Sequence, residues 1–379
     1  MPRQPPTELP DLDPLRVGHP SIAIVGSGPS GCYLAQALRQ RFPSSAITIY
    51  ERLTMPYGLA RYGVAPDHQG TRAITRQFDR LFEREKVTFE GGVAVGTDVS
   101  LAALRRRFDV VALATGLYGD RRLGVPGDDL AGIVGAGALT RRINGHPEEN
   151  AIGALGPNLV IVGNGNVAID VLRLMIRDTS TLDPGESVRI AEAAAGLRSI
   201  NVIGRSTAAA ARFDPVLIRE LGKIEGVRFI VEEAAPLSDK DVSERTRIDA
   251  VRALRDIDPG FSPRVVVTFR FGWVPVEVTG RSRVHGVVVR PTGGEPIELA
   301  ADGVVTAIGF EQRDSDPIKL SEMIGDAADT AAGRLDHGLY AVGWFRYGPR
   351  GRIPDARVDA RAVAATITAD WHRKSRLQS

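Results

Sequence analysis

A single cysteine, Cys32, occurs in the 379 residues, and its isolation removes several chemistries at once. The chain can form no internal disulfide, no C-x-x-C redox pair, no all-cysteine zinc site and no iron–sulfur cluster on its own thiolates. Electron chemistry, if the chain performs it, must run through a bound organic cofactor. Long apolar runs are also missing: no stretch of about eighteen apolar residues occurs, so the sequence offers no membrane span. The opening segment, MPRQPPTELPDLDPLRVGHP, is proline-rich and lacks the apolar centre of a signal peptide, which predicts a flexible leader over residues 1–20 and a cytoplasmic protein. Net charge is only +2, too little for general nucleic-acid affinity, so any basic docking face must be local. The six histidines do not cluster, and nothing resembles a nucleophilic triad or a metal site.

What is present is ordinary globular material, 43% apolar and 25% charged, in a chain long enough for two buried cores. Short β-rich runs alternate with amphipathic stretches, predicting an α/β fold with largely parallel sheets. Strand candidates are residues 21–26, 46–51, 110–116, 158–163, 200–204, 228–232, 302–309 and 338–343. Between them, VVVTFRFGWVPVEVTG and SRVHGVVVRP alternate in the manner of a small antiparallel meander.

Two stretches echo each other. IAIVGSGPSG (residues 22–31) and LVIVGNGNVA (residues 159–168) each carry an aliphatic strand into a glycine turn that opens a helix. In the first, Gly26 permits the tight turn, Gly28 lets backbone approach a pyrophosphate, and Gly31 lets the helix pack on the strand. Free N–H groups and the positive end of the helix dipole then face the phosphates. Glu51, ending the next strand, is placed to accept ribose hydroxyls. The second turn is the G-x-G-x-x-A variant, with Gly163, Asn164, Gly165, Asn166 and Val167 around a second pyrophosphate. Two such turns imply two Rossmann-like dinucleotide-binding domains, the second inserted in the first: residues 1–118 with 331–379, and residues 119–330.

The segment after Glu51 is more distinctive. Pro56, Gly58, Leu59, Arg61, Gly63, Val64, Ala65, Pro66, Asp67 and His68 match P-x-G-L-x-R-x-G-V-A-P-D-H, and on them the chain resembles the adrenodoxin-reductase branch of the ferredoxin–NADP reductases from about Ile22 onward. The resemblance implies FAD in the first turn and NADP in the second. By the same likeness Ser30, Glu51, Leu59, Val95, Gly116, Trp344, Gly351, Arg352 and Ile353 fall at flavin positions. Val342-Gly343-Trp344 stands where disulfide-reductase flavoproteins have V-G-D; Trp344 either covers an aromatic ring or packs in the core. Arg205 ends the strand INVIG, where arginine pairs with a 2′-phosphate and an acid would select NAD. Arg205, with no acid at that strand end, predicts a preference for NADPH; the family's second arginine is Ser206 here and a family glutamate is Leu217, so the preference is expected to be less steep than usual for the family, with NAD possible. Arg121 matches another nucleotide contact.

The implied chemistry is hydride transfer from nicotinamide C4 to flavin N5, then single electrons to a ferredoxin-like iron–sulfur protein, feeding a monooxygenase. His68 and Glu220 match positions near the nicotinamide. Read without the family, Asp67 would cap a helix opening at His68, and Glu220 would be a solvated helix residue. Arg72, Arg76, Arg80 and Arg84 line one helix face at i, i+4 spacing, as a solvated face or a docking patch for an acidic ferredoxin. Arg245, Arg247, Arg252 and Arg255 form a second basic cluster. The family's G-P-T-G-V-I is GPRGRI here, adding Arg350 and Arg352. That departure keeps a flavoenzyme acting directly on a small anionic molecule as an alternative, and a non-catalytic nucleotide-binding protein as a third.

Overall fold

Runs of three to seven residues, most of them rich in aliphatics, are too short for helices and build the strands of two separate six-stranded sheets. The computed structural model describes residues 19–233, 241–258 and 262–378; the leader expected over residues 1–20 lies outside them up to residue 18. Among the described residues no helix is long and apolar enough to cross a membrane, and no group of side chains could hold a metal ion.

The chain divides into two compact units. The first takes in the described residues up to Val64, His68–Gly119 and those from Phe310 on. Its six-stranded sheet runs in the order Arg334–Asp336, Leu339–Ala341, Val110–Leu113, Ile22–Val25, Ile47–Glu51, Thr88–Gly91. All neighbours are parallel except the first pair. Ile22 and Ile24 point to one face, where helices Pro29–Arg41 and Ile353–Gln378 bring Leu34, Leu38, Val363 and Ile367. Ala23 and Val25 point to the other, against Val95, Leu104, Leu113 and Phe345. Each fully covered valine, leucine, isoleucine or phenylalanine among them contributes about 1.5–3 kcal/mol, which is what holds the first glycine turn on a rigid base.

The second unit comprises Ala65–Asp67 and Asp120–Gly309. Its sheet is wholly parallel, in the order Ile133–Gly135, Gly303–Thr306, Asn158–Val162, Ser199–Gly204, Val265–Phe271, Val227–Glu233. A three-stranded antiparallel sheet, Trp273–Gly280, Val284–Pro291 and Ile297–Ala300, is the meander.

Several boundaries differ from the sequence expectation. Ala65–Asp67 belong to the second unit rather than the first, and Gly119 to the first rather than the second. VVVTFRF does not join the meander: Val265–Phe271 is a parallel strand between two others, and Gly272 (φ +78°) separates it from Trp273. Residues 310–330 fall with the first unit rather than the second. The Gln312 side chain donates to Ile318 O (2.9 Å) and accepts from Leu320 N (3.2 Å), folding this loop so that Ile318 is buried against the first core. A polar loop without periodicity carries no sign of which core it serves.

Candidate active site

The first glycine turn is built as its sequence requires. Gly26 has φ +106°, and a Cβ there would lie 2.5 Å from Ala114 O. A Cβ on Gly31 would lie 2.0 Å from Gly26 O, so only glycine lets the helix seat on the strand. Gly28 is the opposite case: a Cβ there would meet nothing within 4 Å, leaving open space over the backbone. The helix Pro29–Arg41 has no side-chain cap and no acid in its first turn, so its leading N–H groups are available to an anion. Glu51, 9% exposed, accepts from Ser27 N (3.0 Å) and Ser27 Oγ (2.7 Å) through Oε2 and from Leu53 N (3.1 Å) through Oε1. Those bonds aim the carboxylate at the turn and leave lone pairs for further donors. Tyr57 N donates to Ser27 O and Oγ (both 3.1 Å), laying the Tyr57–Gly58 segment beside Gly28. Cys32 is fully buried, and burial followed by the nearby Glu51 carboxylate pushes its thiol pKa far up, so it is no nucleophile.

Other flavin-position residues gather in the same unit. Gly343 (φ +71°) lies against Ser30, whose Oγ would be 2.0 Å from a Cβ on that glycine. Trp344 is half-buried rather than packed in the core, and the ring it covers is that of Phe310, with centroids 5.4 Å apart and an interplanar angle of 29°; its Nε1 donates to Arg350 O (2.8 Å). Sequence reasoning missed Phe310, whose only signal was an aromatic directly after the strand end AIG. Val95 is buried, Leu59 lies half-buried in the helix Gly58–Tyr62, and Gly116 (φ +68°) has open space beside it. Gly351 and Arg352 are exposed; Arg352 N donates to Asp355 Oδ2 (2.6 Å), starting the helix at Ile353.

The second turn repeats the design. Gly163 has φ +129°, a Cβ on Gly165 would meet nothing within 4 Å, and Ala168 at the third position is fully buried. The helix Asn166–Ile176 likewise lacks a side-chain cap and a first-turn acid. Helices Leu101–Arg107, Pro184–Ala193, Pro215–Leu221 and Val242–Arg255 are instead capped by Ser100, Asp183, Asp214 and Asp241. The Asn164 side chain lies over Gly204, and Val167 is exposed. Arg205 is exposed and Ser206 half-buried, while Leu217 packs on the core of the unit. Arg121 lines a cavity of about 300 Å³ with Asp120, Arg122, Leu130 and Thr306. Asp120 accepts from Gly137 N (2.7 Å) and Ala138 N (2.9 Å); burial still holds its carboxyl above the usual carboxylate range.

Asp67 does not cap a helix. The cap position of Gln69–Arg72 is His68, without a side-chain bond. Asp67 instead takes a two-pronged grip from Arg173, Nε to Oδ2 at 2.6 Å and Nη2 to Oδ1 at 3.0 Å, and a further bond from Arg177. Arg173 also meets Asp170 (2.8 Å) and faces Glu220 (3.9 Å). Glu220 is therefore half-buried and partnered rather than simply solvated. Arg173 left no trace in the sequence reading, because its chief partner is 106 residues away.

The two basic clusters differ. Arg247 is spent on Ala209 O and Ser243 Oγ, and Arg252 and Arg255 stand next to Asp249 and Asp256. Arg76, Arg80 and Arg84 are exposed on the outer side of the helix Ile74–Glu83 and its end, opposite buried Phe78 and Leu81.

Residues 24–82 match the NAD(P)-binding Rossmann-like domain family. Cindoxin reductase of Citrobacter braakii is 45% identical over 365 residues, spanning 93% of this chain and 78% of that protein. NADPH-ferredoxin reductase FprA of Mycobacterium tuberculosis is 31% identical over 379 residues, with 91% of this chain and 83% of that protein covered. The solved structure of Mycobacterium tuberculosis FprA in complex with NADPH superposes with a TM-score of 0.83 at 28% identity, covering 94% of this chain and 86% of the other. With a glycine turn of the same build on each of two largely parallel sheets, and relatives alike over most of their length, this chain belongs to the adrenodoxin-reductase-type ferredoxin–NADP reductases.

Proposed function

We propose that this chain oxidises NADPH and reduces a ferredoxin-type iron–sulfur protein, with FAD held in the first unit and the nicotinamide nucleotide in the second. The observation that carries the reading is the doubled turn: in each unit an uncapped helix start faces open space over a middle glycine, where a dinucleotide pyrophosphate fits. When bound, FAD supplies the conversion between a two-electron donor and a one-electron acceptor.

The rest is the protein's own work. Gly26, Gly28, Ser30 and Gly31 take the flavin pyrophosphate, Glu51 its ribose, and Leu59, Val95, Gly116, Trp344, Gly351, Arg352 and Ile353 line its remainder. Gly163, Asn164, Gly165, Asn166 and Val167 receive the second pyrophosphate; Arg205 and Arg121 favour the 2′-phosphate form, and Ser206 beside Arg205, in place of a second arginine, makes that preference less steep. Hydride transfer needs alignment more than proton movement, so His68 and Glu220 orient the nicotinamide. Of the two basic clusters, the exposed Arg76, Arg80 and Arg84 suit an acidic partner better, because the arginines of the other are largely engaged locally; Arg72, expected on the same face, lies half-buried on the separate helix Gln69–Arg72. The same reading puts the protein in the cytoplasm, with a monooxygenase as the end user of the electrons.

Anaerobic addition of NADPH to the purified protein should bleach a flavin spectrum, and a cluster-bearing ferredoxin should then be reduced. Rapid reduction of a dye with no transfer to any ferredoxin would instead favour a small anionic substrate at Arg350 and Arg352. No change in the flavin spectrum would leave a nucleotide-binding protein without hydride transfer.

A further inference from the structure

The helix Asn166–Ile176 is otherwise a core element, with Ala168, Ile169, Val171, Leu172, Leu174, Met175 and Ile176 all buried. Yet Asn166, Asp170, Arg173 and, just past its end, Arg177 recur at i, i+4, i+7 and i+11, which puts four polar side chains in one stripe. Each is used. Asn166 Oδ1 accepts from Asp214 N (2.7 Å), the cap residue of the helix Pro215–Leu221 that carries Glu220. Arg173, 5% exposed, grips both oxygens of Asp67, bonds Asp170 and faces Glu220 on that same second helix. Arg177 Nη1 donates to Asp67 Oδ2 as well. Burial works against the charge on Arg173, but Asp67 and Asp170 more than compensate and raise its pKa above the ordinary arginine value.

Such a network is a poor way to gain stability. Buried ion pairs seldom outperform apolar packing of the same volume, and their best-attested use is to fix one arrangement among several. The stripe begins at the N-terminal end of a helix whose start is the second glycine turn, and Arg173 stands seven residues along, about 10 Å up a straight helix axis. The turn that would seat a nucleotide and Arg173 itself therefore share one rigid element.

We propose that Arg173 is a positioning residue for the reaction: by holding Asp67 it fixes the backbone leading directly into His68, and by facing Glu220 it sets that carboxylate. The inference rests on the reading that His68 and Glu220 serve hydride transfer. Arg173, 5% exposed, acts through Asp67 and Glu220. Asp67 is the direct lever, since both its oxygens are committed to the arginines and it is the chain neighbour of His68.

The test uses the holoenzyme with Asp67→Asn, Arg173→Met, Arg173→Lys and His68→Ala. Stopped-flow reduction by NADPH gives the limiting rate, calorimetry gives NADP+ affinity, and the His68 ring-proton resonance, assigned by its loss in His68→Ala, reports its setting. Asp67→Asn and Arg173→Met should lower the limiting rate about tenfold or more through misplacement alone. NADP+ affinity should stay within about threefold because the pyrophosphate turn is intact. Arg173→Lys should recover part of the rate, and the His68 resonance should move in Asp67→Asn. If Asp67→Asn and Arg173→Met do not fold, Arg173→Lys decides, since a purely structural arginine would leave its limiting rate at the wild-type value. Wild-type rates and an unmoved resonance in a folded variant, with only thermal stability reduced, would overturn the proposal. If His68→Ala itself reduces at the wild-type rate, the role given to His68 fails, and the resonance in Asp67→Asn still reports whether Arg173 sets that residue.

Discussion

The two glycine turns share a plan but differ where their strands and helices finish the job. In the first, the third glycine is obligatory, because a Cβ on Gly31 would sit 2.0 Å from Gly26 O. In the second, Ala168 fills that place and is fully buried without conflict. At the end of the next strand the first turn has Glu51, 9% exposed and tied to Ser27 and Leu53 by three hydrogen bonds; the second has Arg205, exposed to solvent. Beside the first turn lies the Tyr57–Gly58 segment, bonded to Ser27. A site finished with a buried, pre-aimed carboxylate suits a resident coenzyme. One finished with an exposed guanidinium suits a phosphorylated nucleotide that comes and goes.

The largest effect that would break this comparison is expected from Gly31→Ala. Its methyl group meets the backbone of the turn itself at Gly26 O, so the purified variant should lose its bound flavin or fail to fold, as absorbance and coenzyme release would record. The mirror change Ala168→Gly should cost only about 1 kcal/mol of helix stability and leave NADPH binding in place, read by thermal denaturation and calorimetry. Next in size is Arg205→Glu. Removing a charge-assisted bond to the 2′-phosphate and adding repulsion should cut the ratio of kcat/KM for NADPH over NADH by about 10- to 100-fold. An unchanged ratio would remove Arg205 from nucleotide selection.

A smaller change is expected from Arg76→Glu combined with Arg80→Glu. The association rate with an acidic ferredoxin at low salt should fall several-fold, and its dependence on ionic strength should flatten, while dye reduction stays constant. The smallest effect concerns Cys32, next to Gly31. Its thiol pKa is raised by burial, so it stays protonated and unreactive toward alkylating agents through mildly alkaline pH in the folded protein and labels only after unfolding. Fast labelling of the native chain would show that the first turn is looser than described.

Both turns could be read from the sequence because their determinants are local: an aliphatic strand, glycines at fixed spacing, and a helix that follows at once. Glu51 was legible for the same reason, one strand further on. Val265–Phe271 was not, since its alternation matches that of the adjoining meander and only its pairing with Ser199–Gly204 and Val227–Glu233 tells them apart. Asp67 looked like a helix cap because Asp before a short helix usually is one; its true partners lie on a helix more than a hundred residues away. Phe310 on Trp344 was hidden by the same kind of distance. Non-local ion pairs and ring stacks leave no periodic signature, and here they surround residues expected to do chemistry.

The most direct test of the account is the coenzyme content of gel-filtered wild-type protein beside Gly31→Ala and Arg205→Glu. The account predicts about one flavin per chain in wild type and in Arg205→Glu, with nicotinamide nucleotide freely exchanged, and no flavin in folded Gly31→Ala. A well-folded, colourless wild-type protein that takes up no isoalloxazine compound would contradict it.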